Sequence, residues 1–181
     1  MTKFSVRLGI VPKIITVACF IIMSFALIKL TQVLLEGGFN IVYLSLIILL
    51  LISIVSPVFT MPVSIYALDD RLLLKKLLGS KTIFYSDIIV AERFSPKSDI
   101  RIFGSGGYWG FFGIFSNPRI GRYTAFVGDY KEAVLIQVAI AGGYKSYVVS
   151  CRNYDEFIML ANNNRDIRTI ILSATYPQVF T

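Results

Sequence analysis

Histidine is missing from the 181-residue chain. Its absence removes Ser-His-Asp and Cys-His nucleophile pairs, along with histidine-based zinc or iron sites. Cysteine occurs only as Cys19, inside an apolar run, and as Cys151, far along the chain. No disulfide framework is expected from that pair, and a reducing compartment is the easier fit. Charge is scarce: 16% of residues are charged, against about 25% in an ordinary soluble domain. The net charge is +7, yet Lys75-Lys76 is the only adjacent basic pair, so the dense basic stripe of a nucleic-acid surface is lacking. The acids fall where structure uses them, Asp69-Asp70 in a turn and Asp155-Glu156 opening a helix, where acids suit the dipole. No carboxylates from distant parts of the sequence can be brought together, which leaves an enzyme as the third-ranked class. The run Gly104–Gly113 is not a nucleotide loop, because Trp109 stands where a third glycine belongs and no Gly-Lys-Ser/Thr exists. No cofactor, metal, small-molecule substrate or nucleic-acid partner is expected.

Apolar length is what the chain has in excess. From Gly37 to Leu68 the only ionisable side chains are tyrosines. Within that window Ile41–Thr60 is apolar all round and long enough for a hydrocarbon core of about 30 Å. Ile14 to about Leu34 forms another apolar run, interrupted by Lys29, whose ammonium can reach the headgroups along an apolar stem. Two transmembrane helices are therefore expected, about 14–34 and 41–60, joined by the glycine-bearing turn Glu36–Asn40. A cleaved signal peptide is the rival for the first, with a basic start and Ser24-Phe25-Ala26 as the cleavage pattern. Hydrophobicity continuing through Leu35 argues against it. Lys3, Arg7 and Lys13 precede the first span, and Arg71, Lys75, Lys76 and Lys81 follow the second. By the positive-inside rule, both ends lie in the cytoplasm. Residues 1–62 then comprise a short tail and the membrane hairpin, 63–164 a globular domain, and 165–181 a tail where helix and strand remain equally open.

After Pro62 the pattern changes to a period of two. Val63–Leu68, Arg71–Leu78, Lys81–Tyr85 and Asp87–Phe94 read as an antiparallel meander with turns at Asp69-Asp70 and Gly79-Ser80. Arg122–Val127 is strand-like, and Ala133–Ala141, Gly142-Gly143 and Tyr144–Ser150 form the clearest hairpin. Asn153 and Glu156 have the spacing of a capping box before a helix with Tyr154, Phe157, Ile158 and Ala161 on one face. Several antiparallel strands followed by one amphipathic helix describe a small sandwich or barrel plugged by a helix.

Four segments of this part, Tyr66–Leu72, Lys81–Ile88, Arg101–Gly113 and Tyr154–Ile158, resemble the bacterial PH-like (pleckstrin-homology-like) domain proteins with two N-terminal spans. The Gly-aromatic stretch is the most specific of them. The resemblance implies a mainly-β roll of about seven antiparallel strands with a C-terminal capping helix, in a bacterial inner-membrane protein. It implies no activity, because fold does not fix function. Tyr108, Trp109, Phe111 and Phe112 either fill the β core or a groove, or touch the bilayer interface or the spans. Phosphoinositide-binding relatives carry lysines and arginines around a long first hairpin loop, where this chain has Asp69-Asp70. Lys75, Lys76 and Lys81 remain as a candidate basic surface beside the aromatics. The leading expectation is a membrane-anchored, non-catalytic interaction module that binds a protein partner or its own copies. Recognition of anionic lipid headgroups is the alternative.

Overall fold

The computed structural model describes residues 2–38 and 40–164. The tail from residue 165, left open above, lies outside the described residues. Two apolar helices stand at the N-terminal side: α1, Ile10–Glu36, and α2, Ile41–Thr60. By length and composition α1 is able to cross a membrane, and α2 is a second, shorter apolar helix. The two pack against one another, with side-chain Oδ1 of Asn40 accepting from Val42 N–H at 2.9 Å to cap the start of α2.

The β body begins ahead of α1. Thr2–Ser5 forms β1 and pairs antiparallel with β2, Pro62–Ala67, in the register Thr2 to Ala67 through Ser5 to Ser64. With β3, Arg71–Lys76, and β4, Ser80–Phe84, these make a four-stranded sheet in the order β1-β2-β3-β4. The second sheet is six-stranded, in the order β5-β9-β10-β8-β7-β6. Its strands are β5 (Ile88–Arg93), β6 (Ile100–Gly107), β7 (Gly110–Asn117), β8 (Gly121–Val127), β9 (Ala133–Ile140) and β10 (Gly143–Ser150). Among the described residues ten strands form where the resemblance implies about seven, because β1 joins from the far side of the helices and the Gly-aromatic stretch supplies a hairpin, β6 and β7. One pairing is parallel, β10 with β8. It arises because the chain leaves β8 through a 3-10 turn at Tyr130–Glu132 and returns as the β9–β10 hairpin on the far side of the gap.

The core lies between the sheets. Ile65, Leu72, Leu74 and Ile83 of the first face Ile136, Val138, Tyr147 and Val149 of the second, all buried. Alternate residues of β9 and β10, among them Leu135 and Val148, face a smaller cluster with Phe94, Phe115 and Tyr123 on the other side of the six-stranded sheet. Burial on both faces explains why β9 is apolar but for Gln137, which is itself buried and donates to Ser146 Oγ. Helix α3, Tyr154–Asn163, buries Phe157 and Ala161 in the main core, and the Phe157 ring meets Phe4 of β1 edge-on at 5.3 Å. The expected capping box is not made: Asn153 adopts φ 63°, and its side chain caps nothing. The chain leaves β10 too sharply for Asn153 to take the extended conformation of an N-cap, and asparagine tolerates the left-handed region.

Phe4→Ala in the full chain lowers unfolding stability by about 3–5 kcal/mol, measured by denaturation in detergent, whereas exposed Lys3→Ala is near neutral. Burial first, and Glu132 second, push the Cys151 thiol from 9.0 to about 12. Burial, with Asp69 and Asp70 nearby, likewise takes Tyr85 from 10.0 to about 12. The unfolded chain loses these protons first, so stability is indifferent to both groups below about pH 9 and falls between pH 9 and 12. An alkaline titration of the denaturation midpoint, with Cys151→Ala flattening the early part of the fall, checks the sign.

Candidate functional site

The Gly-aromatic stretch is a hairpin aimed at the helix pair. Gly104 of β6 and Gly113 of β7 sit opposite one another with φ of 109° and 119°, and a Cβ on either would meet the backbone carbonyl of the partner strand. Only glycine permits that close approach. At the tip, Gly107, Trp109 and Gly110 all have positive φ, which turns the chain within two residues. Gly107 lies under the Ile15 side chain of α1, where a Cβ would come within 2.6 Å of its Cδ1.

Polar contacts fix the tip. The Thr16 hydroxyl donates to Pro12 C=O at 2.6 Å and accepts from Trp109 N–H at 2.8 Å. The Tyr108 hydroxyl donates to Ile54 C=O of α2 at 3.2 Å, and Ser105 Oγ donates to Tyr108 C=O at 2.7 Å. The Trp109 indole N–H is buried with no acceptor among the described residues. Beside the tip, Ser56 of α2 and Arg101, Phe103, Ser105, Tyr108 and Phe112 line a shallow depression. Tyr108, Trp109 and Phe112 thus gather at the helices. Phe111 does not: it points to the other face and packs on Tyr130, ring centroids 4.6 Å apart.

The candidate lysines form a separate group on the four-stranded sheet. Lys76 is level with Pro62 in the β2–β3 register, and Lys75 and Lys81 flank the β3–β4 turn. Lys76 Nζ lies 4.6 Å over the Phe126 ring, and Lys81 Nζ lies 5.7 Å over Tyr147. Tyr66, 6.0 Å from Lys75 Nζ, has its phenol held below the ordinary range by the Ser64 hydroxyl, with Lys3 and Lys75 contributing. The Asp69-Asp70 turn lies at the opposite end of these strands, where Asp70 pairs with Arg71 at 2.9 Å.

The two edges of the six-stranded sheet differ. At β5, the Asn162 side chain of α3 accepts from Ala91 N–H and donates to Ala91 C=O, which covers the edge. At β6 no strand among the described residues pairs on the outer side. Ile100, Ile102 and Phe103 are exposed there at 68%, 47% and 74%. A second, polar depression, lined by Arg93, Ser95, Lys97 and Arg119, has its cations partly engaged. Arg119 pairs with Glu92 at 3.1 Å, and Arg93 lies over Tyr154. Asn117, which also lines this depression, donates from Nδ2 to Asp99, and Asp99 accepts from the Tyr123 hydroxyl as well. No group of three His, Cys, Asp or Glu among the described residues could hold a metal ion.

Sequence reasoning missed Thr16 and Ile54, which hold the hairpin, and Asn162, which covers β5. A hydroxyl within an apolar run was the available signal for Thr16. Replacing it by valine keeps the shape and leaves the Trp109 N–H unpaired, at a cost of about 1–3 kcal/mol. Thr16→Ser restores the stability. Trp109 is the only tryptophan, so its emission reports both the unfolding and the loosening of the tip.

Comparison with curated proteins and with solved structures finds no match. The family model described as "Bacterial PH domain" matches residues 63–164, more than half of the 181 residues, from β2 through the end of α3. With its two sheets, its C-terminal capping helix and this match, the chain belongs to the bacterial PH domain family.

Proposed function

We propose that this protein is a membrane-anchored, non-catalytic interaction module, whose PH domain is held against the cytoplasmic face of the bacterial inner membrane and takes a strand of a protein partner on β6. The open β6 edge carries the reading. Exposed sheet edges are normally shortened, charged, bulged or covered, and β5 of the same sheet is covered by α3. The β6 edge holds Arg101 and a register shift between Arg101 and Phe103, yet no strand among the described residues covers it. It displays Ile100, Ile102 and Phe103 with Gly104, Gly106 and Gly107 beyond. Main-chain hydrogen bonds to such an edge supply affinity, and alternating side chains supply specificity. A bacterial PH domain fits a scaffold of this kind.

The pairing of β1 with β2 supports a two-span anchor. These strands flank the helix pair in sequence and lie in one sheet, whereas a single crossing would separate them by the bilayer. It also speaks against cleavage after Ala26, which would remove Phe4 from the core. At helical rise, Thr16 lies about 30 Å from Glu36, the thickness of a hydrocarbon core. The contact between Thr16 and Trp109 then falls at the inner interface, where tryptophan and tyrosine are favoured. The basic residues before α1 and after α2 support cytoplasmic ends.

A photo-crosslinking residue at position 103 of the full chain, activated in intact membranes, tests the partner. One discrete adduct is expected. It should disappear with Ile102→Lys while protein level and Trp109 emission stay unchanged. An adduct of twice the chain mass would identify a second copy as the occupant, and no adduct at all would overturn a partner on β6.

A further inference from the structure

The turn between β3 and β4 presents two leucines in succession, Leu77 at 57% exposure and Leu78 at 70%. Hairpin turns in water favour glycine, asparagine, aspartate and serine. Here the polar residues flank the apolar pair instead: Lys75 and Lys76 before it, Ser80 and Lys81 after it. The position of the turn is fixed twice. Pairing of Pro62 with Lys76 sets it level with the start of β2, immediately after α2. In addition, Leu78 N–H reaches Phe59 C=O in the last turn of α2 at 3.4 Å. The other end of the same strands carries Asp69 and Asp70. Charge is thus polarised along the hairpin, with cations and leucines at the helix exit and acids away from it. Among the described residues the three lysines have no carboxylate partner; their ammonium groups lie over Tyr66, Phe126 and Tyr147.

We infer that the β3–β4 turn is a membrane foot: Leu77 and Leu78 enter the boundary between headgroups and acyl chains, and Lys75, Lys76 and Lys81 meet the phosphates of anionic lipids. The inference rests on the reading of α2 as a span. The occupant is the bilayer that α2 itself leaves, because a turn bonded to the last turn of a membrane helix lies at the depth where that helix emerges. Two adjacent leucines contribute apolar burial, and each lysine near an anionic surface adds attraction that fades within a Debye length. The foot belongs to the four-stranded sheet and the Tyr108–Trp109 tip to the six-stranded sheet. Together with the helix exits they hold both halves of the body against the leaflet.

The test uses the full chain with Cys19→Ala, reconstituted in phosphatidylcholine vesicles with or without phosphatidylglycerol. An environment-sensitive fluorophore is attached at Leu78→Cys or, as a control, at Asp70→Cys. The label at 78 is expected to emit to the blue and to be quenched by shallow spin-labelled lipid several-fold more than the label at 70, more strongly with phosphatidylglycerol. Replacing Lys75, Lys76 and Lys81 by glutamine is expected to shift the turn from seated to lifted about fivefold per lysine. Trp109 emission, read in the same vesicles, separates the two ways of failing. If Trp109 is quenched by lipid and position 78 is as water-exposed as position 70, the foot is wrong and the anchor stands. If neither is quenched, the anchor fails and takes the foot with it. Quenching at 78 that ignores both phosphatidylglycerol and the lysines overturns the assignment to anionic lipid.

Discussion

Four backbone pairs, from Thr2 with Ala67 to Ser5 with Ser64, close a ring of chain that contains both apolar helices. The ring is drawn tight where it leaves the sheet: Gly9 N–H bonds Gly128 C=O at 2.9 Å, and Arg152 N–H bonds Ser5 C=O at 3.0 Å. At Gly128 the backbone of Arg7 comes so close that any side chain would collide with it. These contacts join the start of α1 to the ends of β8 and β10. The other end of the helix pair enters β2 after a single residue, Met61. Both helices must therefore leave the β body at one end and side by side. The position of the helix pair relative to the β body is a consequence of that closure, since neither helix can swing without unpairing the strands that carry Phe4 into the core.

Given that closure, the Gly-aromatic hairpin has one place to go. Its strands lengthen the six-stranded sheet toward the helices, and its glycines let β6 and β7 approach closely enough for a narrow tip. Tyr108 and Trp109 then bond one helix each, so the tip joins the two helices through the β body as well as through their own packing. The cost of this reach is an edge strand that no strand among the described residues covers. A strand long enough to touch the helices cannot also be short enough to be harmless, and its apolar residues lie on that uncovered edge.

Much of this was legible in the residues. The period-two runs gave the meander and the β9–β10 hairpin, because burial on one or both faces leaves a direct mark on residue type. The apolar runs gave the helices for the same reason. What could not be read is what depends on partners distant in sequence. Thr2–Ser5 is too short and polar to announce a strand, and only the waiting edge of β2 makes it one. The stretch from Arg101 reads as a loop because its glycines weaken any strand pattern, although those same glycines are what the tight β6–β7 pairing requires. Lysines and aromatics that the sequence suggests as one surface divide between two sheets. Phe111 and Phe112 face opposite ways by simple alternation. Leu77 and Leu78 escaped notice because two leucines extending an apolar strand look like core until the register places the turn.

The closed ring also orders the making of the protein. β1 is synthesised ahead of both helices, and its partner strand only after them. Until then its Phe4 has no pocket and its amides have no ladder. Completion of the sheet is thus postponed until the start of α1 and the end of α2 stand side by side. A chain whose helix ends failed to come together would keep an open β2 edge and a core without Phe4. Packing of the helix pair is thereby made a condition for the core to be complete.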